Sequence, residues 1–177
     1  MEGYEIQACL DSMKILVDTR EQPSERATKR YESFGCSYSR ATLNYGDYTY
    51  TFTLPDNTEA FSSMPISGDV VIERKMSLEE LSGCFCQSRE RFEREFQRAM
   101  EHGAKIYLLV EDATWENLIN GKYKTRFNSK AFMGSLLAFM SRYDISLIFC
   151  KKETSGKMIR EILYRELKTR LERGVYG

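Results

Sequence analysis

Histidine is nearly missing from this sequence: His102 is the only one in 177 residues. The five cysteines (Cys9, Cys36, Cys84, Cys86 and Cys150) are odd in number and include no Cys-x-x-Cys pair. A structural zinc therefore lacks its usual ligands, and the thiols read as free residues of a reducing compartment rather than a secreted disulfide framework. Excess charge of either sign is absent too, with 26 basic residues against 26 acidic ones. No global field draws the molecule to nucleic acid or anionic lipid, so any such contact must come from a local patch. The longest apolar runs, such as Ile15-Leu16-Val17 and Ile106-Tyr107-Leu108-Leu109-Val110, are strand-sized, and the N-terminus has no signal-peptide core. These absences predict a soluble, cytoplasmic protein.

No repeat, low-complexity tract or linker divides the chain, and its length suits one globular domain. Residues 1–12 carry no clear period and read as an N-terminal extension, which leaves 13–177 as the domain. Met13 to Asp18 reads as a buried strand and Ser24 to Phe34 as a helix stopped by Gly35. Cys36 to Leu43 and Tyr48 to Leu54 have strand character on either side of Asn44-Tyr45-Gly46-Asp47, a turn composition. This predicts a β-hairpin or meander with Asp47 at its corner. The next strand, Gly68 to Lys75, runs directly into a helix start, with Ser77 as N-cap, Glu80 closing a capping box, and Met76 with Leu81 as a hydrophobic staple. Helices follow at Ser88 to His102, Trp115 to Ile119, Ser129 to Tyr143 and Ser155 to Glu172, with strands at Lys105 to Glu111 and Ser146 to Cys150. Mixed strands first and βα alternation later define an α/β fold.

The chain centres on Val70-Val71-Ile72-Glu73-Arg74-Lys75. Side chains alternate along a strand, so Glu73 and Lys75 face one way and Arg74 the other. Metal-dependent phosphodiester hydrolysis needs hard oxygen ligands and a cation close together. Asp47 at its turn, Glu73 and Lys75 at a strand end, and Glu79 in the first turn of the next helix are the groups of the right chemistry, with Asp18 at the end of another apolar strand. Ligands gather at such strand ends in open α/β sheets.

Four pieces in order, Val17-Asp18-Thr19-Arg20-Glu21, Gly46-Asp47-Tyr48, Ile72-Glu73-Arg74-Lys75 and Ser77-Leu78-Glu79-Glu80-Leu81, resemble the XPF/Hef family of structure-specific DNA nucleases. That family's signature is Gly-Asp, a gap, Glu-Arg-Lys, three residues and Asp. The resemblance extends over Met13 to Cys150 and implies a restriction-endonuclease-like three-layer domain, a central mixed β-sheet flanked by helices. It implies a Mg2+-dependent endonuclease, with Mn2+ able to substitute, that cuts branched, flap or fork DNA. By the same resemblance Asp47 and Glu73 hold the metal, Lys75 orients the water or stabilises charge on the phosphate, and Asp18 with Arg20 completes the site. Arg74 would pair with Glu21 or another acid behind the site. Glu79 stands where the family has Asp and is a further candidate ligand, and Asp69 is a rival to Asp47 on the Glu73 face of the strand. No tandem helix-hairpin-helix module follows, a layout like that of short viral and prokaryotic relatives, and the family implies a homodimer or a partner protein.

Arg89 and Arg91 at the start of one helix, and Lys122, Lys124, Arg126 and Lys130 interleaved with Tyr123, are the residues expected to contact DNA phosphates. Two other readings stay open. One is a nuclease fold without catalysis that serves as a DNA-binding or dimerisation module; the other is a junction resolvase or exonuclease of the same fold.

Overall fold

Strand β1 (Lys14–Asp18) is apolar on both sides of its pleat, which suits an interior strand. In a computed structural model, which describes residues 1–176, it lies inside a six-stranded sheet of order β2-β1-β3-β4-β5-β6. Helix α2 (Glu25–Glu32) carries the chain back along β1, so β2 (Tyr38–Ala41) enters parallel to it at the sheet edge. The chain then crosses the end of β1 and returns as β3 (Tyr48–Thr51), antiparallel to β1 on its other side. The expected hairpin is therefore replaced: β2 and β3 do not pair, because β1 takes the place between them.

Strand β4 (Val70–Lys75) pairs antiparallel with β3 and parallel with β5 (Lys105–Glu111), and β6 (Ile145–Cys150) adds a last parallel edge. Only β3 runs against the others. The C-terminal ends of β1, β4, β5 and β6 and the start of β3 consequently meet at one edge.

Helices cover both faces. Helix α2, α7 (Ser155–Glu172) and α1 (Gly3–Asp11) pack on one side with Ile15, Val17, Tyr48, Tyr50 and Ile72. Helix α1 lies in residues for which the sequence predicted no element. It buries only Cys9 and Leu10, too few for a visible period. On the other side α3 (Leu78–Cys86), α4 (Arg89–Glu101), α5 (Trp115–Ile119) and α6 (Ser129–Tyr143) enclose Val71, Leu108 and Val110 in a phenylalanine-rich cluster. Ser77 caps α3 through the Glu80 N–H at 3.2 Å; the Glu80 carboxylate takes the Met76 N–H at 2.6 Å instead of that of Ser77.

Candidate active site

The Asn44–Asp47 segment reaches the strand ends because Gly46 holds φ at +74° beside β4, where an added Cβ would meet the Val71 Cβ at 3.0 Å. A side chain there would be both strained and crowded. Asp47 is then locked from both sides. Its N–H donates to the Ile72 carbonyl, its carbonyl accepts from the Asp18 N–H, both at 2.9 Å, and its Oδ2 accepts from the Arg74 N–H at 2.7 Å. The alternation expected of β4 holds: Glu73 and Lys75 line a cavity of about 280 Å³ with Asp47, Arg20, Arg91 and Glu95, against an apolar wall of Phe92 and Cys84.

Inside this cavity Lys75 Nζ donates to Glu73 Oε1 at 2.6 Å and lies 5.2 Å from the Phe92 ring centroid. Glu73 Oε2 is buried and finds no hydrogen-bond partner among the described residues. Burial pushes the Glu73 carboxyl above its usual range, with Lys75 acting against it. Burial and then the Glu73 charge push Asp47 up as well. Burial disfavours the Lys75 ammonium, but Glu73 and Asp47 outweigh it and hold Lys75 above its usual range. Kept protonated beside these two carboxylates, Lys75 presents hydrogen-bond donors to the cavity.

The chemistry of the donor set suits a hard divalent cation such as Mg2+: the orphaned Glu73 oxygen and the repulsion between Asp47 and Glu73 would both be relieved by one. Among the described residues, no three acidic, cysteine or histidine side chains converge closely enough to form a cage by themselves.

Arg20 lines the cavity and Asp18 is buried behind it. Arg20 donates its backbone N–H to Asp18 Oδ1 at 2.7 Å and its Nε to both carboxylate oxygens at 3.0 Å, leaving Asp18 fully engaged and Arg20 facing the cavity. Arg74 points behind the sheet, as the alternation requires, and meets two acids rather than one. Its guanidinium lies 3.1 Å from Glu21 and 3.4 Å from Glu111, the same pair that buried Arg30 contacts at 2.6 and 3.3 Å. Tyr48 Oη adds a 2.9 Å bond to Glu21, and Arg26 reaches Glu111 from α2.

Glu79 and Asp69 are placed elsewhere. Glu79 Oε1 accepts the Lys124 N–H at 2.9 Å; burial works against the Glu79 carboxylate, but this bond together with those from its own N–H and from Ser77 outweighs it and holds the carboxyl below its usual range. Glu79 lines a groove with Arg126 rather than the Asp47 cavity. Asp69 lies at the opposite end of β4, 3.2 Å from Arg170 and 2.8 Å from Tyr50 Oη, so it is no neighbour of the Glu73 carboxylate. Among the residues expected to contact DNA, Arg91 lines the cavity, Arg89 pairs with Glu93 at 3.0 Å, and Lys122, Lys124, Arg126 and Lys130 are exposed on and beside the α5–α6 connection.

Sequence reasoning missed Glu95. From α4 it accepts the Gly46 N–H at 3.1 Å and stands 3.6 Å from Arg20, tying the Asp47 turn to the helix. Its only sequence signal is a place one residue before Phe96 on the buried stripe.

The ERCC4 domain profile matches residues 17–162. The chain belongs to the ERCC4 domain family. That is the nuclease family of XPF, and two solved structures agree with it in fold. XPF from Aeropyrum pernix superposes with a TM-score of 0.61 at 18% identity, over 92% of this chain and 69% of that one. A structure titled XPF from Aeropyrum pernix in complex with DNA gives 0.59 at 21%, over 89% of this chain and 66% of that one. The ERCC4-family chain thus has the restriction-endonuclease-like fold and spans about two thirds of those two chains. No curated protein matches its sequence.

Proposed function

We propose that this domain is a metal-dependent endonuclease that hydrolyses phosphodiester bonds in branched, flap or fork DNA. The observation that carries the reading is the orphaned oxygen of Glu73, a residue that lines one cavity with Asp47 and Lys75. A Mg2+ or Mn2+ ion held by Asp47 and Glu73 would polarise the phosphate and acidify its bound water.

The chain's own groups supply the rest. Arg74 fixes one Asp47 oxygen through its backbone N–H and leaves the other toward the cavity. Lys75, kept protonated, donates to a phosphate oxygen as negative charge grows on it during attack, and Glu73 holds it in place. Arg20, braced by Asp18, and Arg91 face the same space and hold the flanking phosphates. Phe92 and Cys84 keep water away from one side. The five free thiols fit a cytoplasmic setting.

The test is cleavage of labelled flap, fork, junction, single-stranded and linear duplex DNA with magnesium, with manganese and with chelator. Cutting of the branched substrates alone, abolished by chelator and by Glu73→Gln or Lys75→Ala, is the expected result. Unchanged cleavage by those variants removes the site assignment, and preference for junctions or linear ends moves the substrate to the resolvase or exonuclease class.

A further inference from the structure

The Asp47 cavity does not end at the sheet. It shares Asp47 and Lys75 with a second cavity of about 350 Å³ on the α2 side, which in turn shares Arg26 and Arg30 with a third of about 380 Å³ between α2 and the β6–α7 connection. Through these shared residues the three cavities follow one another from the α4 face to the α2 face, the middle one lined by Glu21, Asp47 and Glu80 as well as by Arg26, Arg30, Arg74 and Lys75. The third cavity is lined by four cations, Arg26, Lys29, Arg30 and Lys152, against the acids Glu25 and Glu153. Lys29 pairs with Glu25 at 2.7 Å and Lys152 approaches Glu153 at 3.9 Å, all four side chains being largely exposed. Exposed pairs of this kind contribute about 0–1 kcal/mol, so either lysine exchanges its carboxylate for a phosphate at little cost.

We infer that one strand of the nucleic-acid substrate leaves the Asp47–Glu73 cavity over the sheet edge and uses this row of cavities as a channel, its backbone phosphates held by Lys29 and Lys152, while Arg26 stays on Glu111. No aromatic ring lines the third cavity among the described residues, so the contact is to phosphates rather than stacked bases and carries no sequence preference. This arm lies apart from the Lys122–Lys130 segment. The inference rests on the DNA-cleaving reading above, but it is decided by binding alone.

The experiment measures affinity of the full chain for flap DNA in chelator across a range of salt concentrations. Lys29 and Lys152 make no buried contact, so Lys29→Gln and Lys152→Gln should keep the wild-type melting temperature. Each single variant should lower the slope of log affinity against log salt by about one, and the double variant by about two with a roughly tenfold weaker Kd at fixed salt. Unchanged slope and affinity in the double variant overturn the channel, as does a wild-type chain that binds no DNA. Binding with the expected slopes but no cleavage in magnesium would leave the channel standing and sink the nuclease reading instead.

Discussion

The two faces of the sheet bring similar ingredients to its C-terminal edge and use them in opposite ways. Behind the sheet, Glu21 and Glu111 are each held by at least two arginines, and Tyr48 completes Glu21. In front, Glu73 has one lysine and an unpartnered oxygen, and Asp47 has one backbone N–H beside an open cavity. Arginine's planar fork saturates carboxylates, whereas a single ammonium leaves acceptor positions open. The back face is thus a closed clamp that positions Arg74, and through it Asp47; the front face is left with open acceptor positions. Arg74 joins the two, with its side chain in the clamp and its N–H on the Asp47 carboxylate.

Breaking the clamp should have the largest effect. Glu111→Ala leaves Arg26, Arg30 and Arg74 without their shared partner, and removing one member of a buried ion pair costs about 3–5 kcal/mol, to be read from denaturant unfolding. A loss under 1 kcal/mol would show that the two faces are not so different.

The mirror experiment on the front face is Glu73→Gln. Because burial already works against the charged carboxylate, the metal-free variant should melt no lower than wild type. Its cleavage should nevertheless fall about 1000-fold, the several kcal/mol a metal ion supplies to such a reaction. Isothermal titration with magnesium should lose its heat in the same variant.

A smaller effect is expected at Glu95, which links the front site to α4. In Glu95→Ala the Gly46 N–H loses its acceptor and Asp47 can drift, which should slow cleavage roughly tenfold, a part of the penalty a misplaced catalytic group incurs. Glu95→Gln keeps the acceptor and should recover most of the rate; equal loss in both variants would mean that the charge beside Arg20 matters more than the hydrogen bond.

Glu79→Ala should matter least. Its carboxylate serves the Lys124 N–H, so cleavage should stay within about twofold and stability within roughly 0.5 kcal/mol, as for surface substitutions generally. A large loss of cleavage would bring Glu79 back to the metal.

Features that depend on neighbours in the chain were legible beforehand. Alternation put Glu73 and Lys75 on one face and Arg74 on the other, the Ser77 cap marked the start of α3, and the phenylalanine stripe marked α4. The pairing of β2 and β3 was misread because a turn between two strand-like runs looks alike whether they pair with each other or straddle a third strand. Helix α1 escaped because two buried residues make no period. Glu111 read as the end of a buried strand with nothing to mark its role.

What the sequence determined by itself is the local chemistry: which residues alternate, where helices begin, and the order of the acidic and basic pieces that marks the family. Only the tertiary structure decided which acids share a space. Asp47 and Asp69 are equally good carboxylates on paper, but β4 carries Asp69 to the end of the sheet remote from Glu73, while the crossing over β1 brings Asp47 to its side. Separation through space depends on strand order and direction, and those are set by which apolar faces can be buried together, a property of the whole chain rather than of any motif within it.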